Sequence, residues 1–362
     1  MKILFVCLHM PGQVPGQRFR FEQYLDFLHE NGIETTYSNL LETRDYKYFY
    51  TKGHYLRKLG IVIRGFLKRY RELKKVKSYD IIFIQREAIM LGTWFFERNY
   101  ARKSKIIYDY DDAIWLDLIS GPNRIFRFLK NPDKTKRIIG ISSLVFAGNQ
   151  YLAEYAKQFN PRVVIVPTTI DTNEYQPAYT ANKERVCIGW SGSFSTIMHF
   201  ETCLEALRII KDKFSSRVFF KVIGDDKYSN VELGIKGLAW KKDTEVQDLQ
   251  GIDIGIMPLP DDEWAKGKCG LKGLQYMALS IPAVMSPVGV NKEIIQDGEN
   301  GFLASTTQEW VDILTRLIES PQLRERVGAK GRETVLDSYS VNANKHLYLK
   351  YFKELLSGKP IN

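Results

Sequence analysis

Apolar residues in this chain come in short unbroken runs, separated by stretches of helical periodicity, and the alternation continues from end to end. Residues 2–8 (KILFVCL) are the first such run, and the Gly/Pro-rich loop 10–17 follows. Unbroken runs suit strands of a parallel sheet covered on both faces. Phe21, Leu25, Phe27 and Leu28 then recur at helical spacing, and Gly32 stands where that helix would end. Residues 33–39 read as a second strand, and 80–85, 105–112, 142–149 and 163–170 as four more. Helices are predicted between them, around 56–77, 88–102 and 149–158.

The second half repeats the pattern. Strands are predicted at 185–193, 217–225 and 252–260, a helix at 200–214, and a helix, turn and strand at 271–286. From 306 to 356 the chain is mostly helical in pattern. Alternating strands and helices imply doubly wound parallel sheets. With 362 residues there is room for two such domains. The expected division is 1–178 and 184–340, with the mixed polar run 176–183 as linker and 341–362 as a helix crossing back. Ligands of open parallel sheets collect beyond the carboxyl ends of the strands, so the two Rossmann-like domains would face each other across a central cleft.

Charge changes this picture. The formal net charge is +10, and residues 1–180 carry 28 basic against 18 acidic side chains, whereas 181–362 carry 24 of each. The surplus therefore belongs to a partner of the first half rather than to solubility in general. The four cysteines, Cys7, Cys187, Cys203 and Cys269, are far apart, so neither a zinc cluster nor a dense disulfide framework is expected. No apolar stretch approaches the roughly 20 residues of a membrane span, and the first run lacks a cleavage site, so the expected location is cytoplasmic.

Five stretches carry candidate chemistry. The loop 189–193 (GWSGS) lies between a strand and a helix, where Gly192 and Ser193 would let backbone amides approach an anion; the plain alternative is a small-residue turn. In 266–278, Lys268, Lys272 and Gln275 fall on one helix face, as a diphosphate and its ribose require, beside Gly270 and Leu271; a solvated basic face is the alternative. Asp111 and Asp112 end a strand, where acids bind sugar hydroxyls, act as bases, hold a metal or cap a helix. Gly16, Gln17, Arg18 and Arg20 suit a phosphate or carboxylate. Residues 57–77 hold nine basic residues and one acid, Glu72, with Leu59, Val62, Ile63, Phe66, Leu67 and Tyr70 at helical spacing. Such a helix lies on an anionic membrane or packs its apolar stripe on the sheet, and both hold if it packs edge-on. Among the histidines, His9 ends the first strand and His199 lies inside the helix after GWSGS; no pair has metal-ligand spacing.

These stretches, taken together, resemble the GT-B glycosyltransferases, and among them the retaining enzymes of glycosyltransferase family 4. The resemblance runs over essentially the whole chain. It rests on MKILFVCLHMPGQVPGQRFRFEQYLDFLHENGIE, on FIQREA followed by KIIYDYDDAIW, on FAGNQYLAEYAKQF with VVIVPTTIDTNEYQP, and on GLKGLQYMALSIPAVMSPVGVNKEIIQDGENGFLA. The resemblance implies a GT-B fold, with the last helix, from 341, returning to the N-terminal domain. It also implies that the second domain binds a nucleoside diphosphate sugar, with Gly192, Ser193, Gly270 and Leu271 facing the diphosphate.

Many family members carry a pair of glutamates spaced Glu-x(7)-Glu, the first for the sugar and the second for the ribose. Gly267 and Gln275 stand at those positions here, and Gln275 can still hydrogen-bond a ribose hydroxyl. Lys268 and Lys272 are the expected substitutes for the basic pair that commonly follows the first strand of that domain. Asp111 and Asp112 would orient the acceptor hydroxyl or donor sugar. No cofactor and no essential metal are expected. The acceptor would be a glycan or lipid-linked, in bacterial surface polysaccharide or glycolipid synthesis, with 57–77 as an anionic membrane contact.

Two readings compete: a nonhydrolysing nucleotide-sugar epimerase of the same fold, which needs no acceptor, and a nucleotide-binding or scaffold protein with a decayed site. An NAD-dependent Rossmann enzyme is set aside, because the loop after the first strand has glycines four apart and no G-x-G-x-x-G. Nucleic-acid binding is also set aside, since the basic stretch lacks a known motif.

Overall fold

The computed structural model describes residues 1–116, 131–178 and 185–358. The chain forms two units, one of Met1–Pro167 with Lys345–Asn362 and one of Thr168–Asn344. The expected linker falls partly outside the described residues. Of its described part, Gln176 belongs with the second unit, where its carbonyl accepts Gln250 Nε2 at 2.7 Å.

The first unit is built on a parallel sheet of six strands, β1 (Lys2–Val6), β2 (Glu34–Ser38), β3 (Ile81–Gln85), β4 (Lys105–Tyr110), β5 (Leu144–Ala147) and β6 (Val163–Ile165), in the order β2-β1-β3-β4-β5-β6. The unbroken apolar runs are its centre: every residue of β3 is buried, as a strand covered on both faces requires. The helix Val341–Ser357 contributes Tyr348 and Phe352 to this core. Tyr348 stacks on Tyr24 at 4.4 Å and its hydroxyl donates to the carbonyl of Arg20, while Phe352 lies against Phe83 and Phe146.

The second unit holds a parallel sheet of β7 (Val186–Ser191), β8 (Val218–Ile223), β11 (Ile254–Met257), β12 (Ala283–Met285) and β13 (Phe302–Leu303), in the order β13-β12-β11-β7-β8. A hairpin of two two-residue strands, β9 (Ser229–Asn230) with β10 (Ile235–Lys236), lies between β8 and β11 in sequence. Trp190, Leu207, Ile210, Ile254, Val284 and Leu314 are among its buried core.

Two predicted helices are broken. Between 15 and 30 the chain forms Pro15–Arg18, a single 3-10 turn Glu22–Tyr24, and Leu25–Glu30. Phe19 and Phe21 are both buried, and so is Arg20 between them. A continuous helix would turn these neighbours about 100° apart each, so the backbone leaves the helix at Phe21 (φ −134°). Likewise the helix predicted at 200–214 splits into Ile197–Glu201 and Leu204–Phe214. Gly32 does end the third piece of the first region, with φ +74°.

The basic helix runs over Tyr55–Glu72. Its buried residues are Lys58, Ile61, Gly65 and Arg69, not the apolar stripe. The alternative in which that stripe packs on the sheet is therefore overturned: Leu59, Ile63, Phe66, Leu67 and Tyr70 are all exposed.

Candidate functional site

In the first unit, strand register assembles one cluster at the carboxyl ends of β3 and β4. Gln85 pairs with Asp109, and just beyond them Arg86, one residue on, meets Asp111, two residues on. Arg86 has φ +62°, a left-handed conformation unusual for a side chain of its size, and its amide donates to the Asp109 carbonyl at 2.8 Å. Its guanidinium meets Asp111 Oδ1 through Nε at 2.9 Å and Nη2 at 2.8 Å, and lies 3.9 Å from Asp112 Oδ2. Burial opposes the Arg86 charge, but Asp111 and Asp112 outweigh it and hold the guanidinium above its usual value.

Gly16 closes over this pair. A β-carbon there would sit 2.9 Å from Asp111 Oδ2 and 3.3 Å from Arg86 Nη2. Asp112 also turns inward on its own backbone, its Oδ1 accepting the Ala113 amide at 3.0 Å; the chain after Trp115 and Leu116 lies outside the described residues.

The other residues singled out on this side do different work. Gln17 is fully buried and ties the loop after β1 together, accepting the His9 amide at 2.9 Å and donating to the His9 carbonyl at 3.1 Å. Arg20 and Asp109 form an ion pair with both side chains wholly buried, Nε lying 3.2 Å from Oδ1. Arg20 also donates to the Val166 carbonyl. Arg18 is buried with its guanidinium over the Phe19 ring at 4.9 Å. Gly16, Asp111 and Asp112 thus come together, whereas Gln17 and Arg20 are engaged within the fold.

His9 stands between two phenols, with Nδ1 3.1 Å from Tyr46 Oη and Nε2 3.3 Å from Tyr50 Oη. Burial, and after it the charge of Arg86, push His9 down to about 4, so the ring is neutral at neutral pH.

In the second unit, the loop after β7 is shaped by close approach. A β-carbon at Gly192 would collide with the Trp190 ring, and one at Gly224 (φ +121°) with the Gly192 carbonyl. The Gly192 amide donates to the Ile223 carbonyl at 2.9 Å and the Ser193 amide to Thr196 Oγ1 at 3.1 Å, so both are engaged. Ser193 Oγ lies 3.0 Å from Ser195 Oγ.

The helix Leu271–Ala278 starts at Gly270, whose φ of +69° and contact with Ile294 leave no room for a β-carbon. No side chain caps it. Its first-turn amides, that of Leu271 included, therefore lack intrahelical acceptors and point with the positive end of the helix dipole.

Two lysines flank that start, each over a tryptophan: Lys268 Nζ at 4.0 Å from the Trp264 ring and Lys272 Nζ at 5.5 Å from the Trp190 ring. His199 is buried edge-on against the same Trp264, at 4.9 Å. Glu263 pairs with Lys266 at 2.8 Å. Gln275 is buried and donates through Nε2 to Tyr175 Oη at 3.0 Å and Glu245 Oε1 at 3.2 Å; Trp240 Nε1 reaches the same Glu245 oxygen at 2.9 Å.

Arg86, Glu245, Trp240, Trp264 and Tyr175 were not singled out from sequence. Arg86 had a signal: FIQREA and YDYDD both end predicted neighbouring strands. Glu245 and Tyr175 had none, being 30 and 100 residues from Gln275. Among the described residues, no cluster of three or more His, Cys, Asp and Glu side chains is arranged to hold a metal ion.

Residues 185–320 match the family model of glycosyl transferases group 1. A 114-residue stretch is 26% identical to glycosyltransferase 1 domain-containing protein 1 of Xenopus tropicalis; it takes in 32% of this chain and only 33% of that relative. Sucrose-phosphate synthase from Thermosynechococcus elongatus superposes with a TM-score of 0.68 at 11% identity, over 99% of this chain and 100% of that one. A glycosyltransferase from Rickettsia africae gives 0.68 at 13% identity, over 99% of each. HepE of Anabaena, solved with UDP-glucose, gives 0.65 at 15% identity, over 98% of this chain and 100% of its own. The second unit thus matches glycosyl transferases group 1 across residues 185–320, and the chain as a whole has the GT-B fold, with two Rossmann-like domains.

Proposed function

We propose that the protein is a glycosyltransferase that moves a sugar from a nucleoside diphosphate sugar to a hydroxyl of a glycan or lipid-linked acceptor. The observation that carries this reading is the start of the helix Leu271–Ala278. First-turn amides, which have no acceptor within the helix, and two lysines held over tryptophans gather there, within the stretch that matches glycosyl transferases group 1. The complex of HepE with UDP-glucose supports a donor of this class.

In the reaction, the bond from the anomeric carbon to the diphosphate oxygen breaks and its electron pair leaves with the diphosphate. The acceptor oxygen bonds to that carbon and gives up its proton to the departing phosphate or to water. Negative charge grows on the leaving diphosphate, and Lys268, Lys272 and the helix amides are the groups that would stabilise it. Gly192 and Ser193 would shape the wall beside it, and Gln275 would accept from the ribose. Asp111 and Asp112, held by Arg86, would orient the acceptor hydroxyl or the sugar. We take the reaction to retain anomeric configuration and to need no metal, as the family resemblance implies.

The excess positive charge of residues 1–180 supports an acceptor displayed at an anionic membrane face, reached through residues 57–77, as in bacterial surface polysaccharide or glycolipid synthesis. A screen of nucleoside diphosphate sugars, by thermal shift and by release of nucleoside diphosphate with and without EDTA, tests the donor assignment. Stabilisation by one donor class, lost in K268A/K272A, is expected. No shift with any donor overturns the assignment, and product formed without acceptor favours the epimerase.

A further inference from the structure

The helix Tyr55–Glu72 is packed inside out. Its buried stripe, Lys58, Ile61, Gly65 and Arg69, contains two cations and a glycine. Arg69 is wholly buried, donating to the Ala88 carbonyl at 2.8 Å, the Cys7 carbonyl at 2.7 Å and Ser38 Oγ at 2.8 Å, and pairing with Glu72 at 2.9 Å. Lys58 donates to the Thr51 carbonyl at 2.7 Å. At Gly65 a β-carbon would press on Leu40 at 2.9 Å, so the helix lies as close as a glycine permits. These contacts fix its rotation about its own axis.

That rotation turns Leu56, Leu59, Ile63, Phe66, Leu67 and Tyr70 outward. Their exposures run from 39% at Phe66 to 86% at Leu56. At 100° per residue all six fall within one arc of the helix, so they make a single apolar face. Phe95, itself exposed, stacks on Phe66 at 6.5 Å and extends it. Exposed bases border this face: Arg57 and Arg71 on the helix, then Lys74, Lys75 and Lys77 just beyond it. The one acid in 57–77, Glu72, is taken by Arg69.

We propose that this face inserts into the interfacial layer of an anionic lipid bilayer, with the helix lying in the membrane plane and the bases on lipid headgroups. This deepens the membrane contact proposed above and rests on it: apolar side chains enter the acyl boundary, and contact is not by charge alone. Charge selects the occupant. A second copy of the chain would set the same basic border against itself, whereas a bilayer of anionic lipid is complementary to both the apolar face and its border. The face is a convex helix side, the shape that lies in an interface.

Co-sedimentation with phosphatidylcholine vesicles, with and without phosphatidylglycerol, tests this on the full chain. Wild type is expected to bind the anionic vesicles and to keep part of that binding in high salt. L59S/I63S/L67S should lose about tenfold or more in affinity at any salt concentration, with an unchanged melting temperature because the three positions are exposed. R71Q/K74Q/K75Q should lose the preference for anionic lipid. In I63W, tryptophan emission should shift to the blue on vesicles and be quenched by lipids brominated in the acyl chain.

If the serine variant binds as wild type while the glutamine variant does not, insertion is overturned and an electrostatic contact stands. If wild type ignores both vesicle types, the membrane contact itself is overturned; donor turnover, measured separately on a soluble acceptor, still reads the glycosyltransferase assignment. A wild-type dimer that the serine variant converts to monomer assigns the face to self-association and overturns the proposal.

Discussion

Gln275 donates its side-chain amide to Glu245 Oε1 at 3.2 Å, across 30 residues of sequence. An ionised carboxylate only accepts, so Glu245 fixes which end of the Gln275 amide points inward. The nitrogen also reaches Tyr175 Oη, and the amide oxygen keeps its acceptor role, the role a ribose hydroxyl needs. Glu245→Gln removes that constraint. We expect nucleotide affinity to fall several-fold, about 1 kcal/mol, and the preference for a ribonucleoside diphosphate over its 2′-deoxy counterpart to narrow. Calorimetric titration of both ligands measures this; an unchanged preference would remove Glu245 from the account.

Arg86 is predicted to act through the acids it holds. Arg86→Ala leaves Asp111 and Asp112 without their cation at a site where Gly16 allows little rearrangement. Turnover should fall by about 10²-fold, the usual scale for misplaced orienting groups, with nucleoside diphosphate affinity unchanged because Lys268, Lys272 and Gln275 belong to the other unit. Arg86→Lys should recover only part, since an ammonium cannot reproduce the two contacts from Nε and Nη2. Steady-state kinetics beside donor titration separates the two effects. Equal losses in both would make Arg86 a folding residue.

The alternation of strands and helices was legible because parallel strands covered on both faces need unbroken apolar runs, as at Ile81–Gln85. The glycine cradles at Gly192 and Gly270 were legible for a similar reason, since only glycine fits there. What sequence could not show was direction. The periodicity of 57–77 marks an apolar stripe but not which way it faces, and Lys58 and Arg69, charged residues by pattern, are among those the fold buries. Arg20 likewise reads as a ligand-binding arginine until Asp109, 89 positions away, is found to neutralise it. Buried ion pairs depend on tertiary partners that no local window contains.

Gly270 tests the donor loop directly. Gly270→Ala places a methyl group against Ile294 Cδ1 and strains a backbone at φ +69°. The expected cost is about 1–3 kcal/mol, together with weaker nucleotide binding. Ile294→Val in the same chain removes the colliding methyl and should restore stability in part, leaving the backbone strain. Thermal melts of the single and double variants check this; full rescue would mean the left-handed conformation costs nothing.

His9 sets a pH dependence. Its folded value, about 4, lies below the ordinary 6.5, so the unfolded chain binds its proton first. The stability it contributes is present above pH 6.5 and is lost as pH falls through that value toward 4. The shift corresponds to roughly 3 kcal/mol at most. His9→Gln should flatten the stability profile in that window. A profile identical to wild type between pH 6.5 and 4 would assign the acid sensitivity to other groups.

The central claim is that the Gly270 helix start, with Lys268 and Lys272, receives the diphosphate of a sugar donor. Its most direct measurement is nucleoside diphosphate release from a matched donor by wild type and by K272A, with an acceptor hydroxyl present. Acceptor-dependent release by wild type, reduced about 10²-fold or more in K272A, is the predicted result. Equal release by both proteins, or none by wild type from any nucleoside diphosphate sugar, would contradict it.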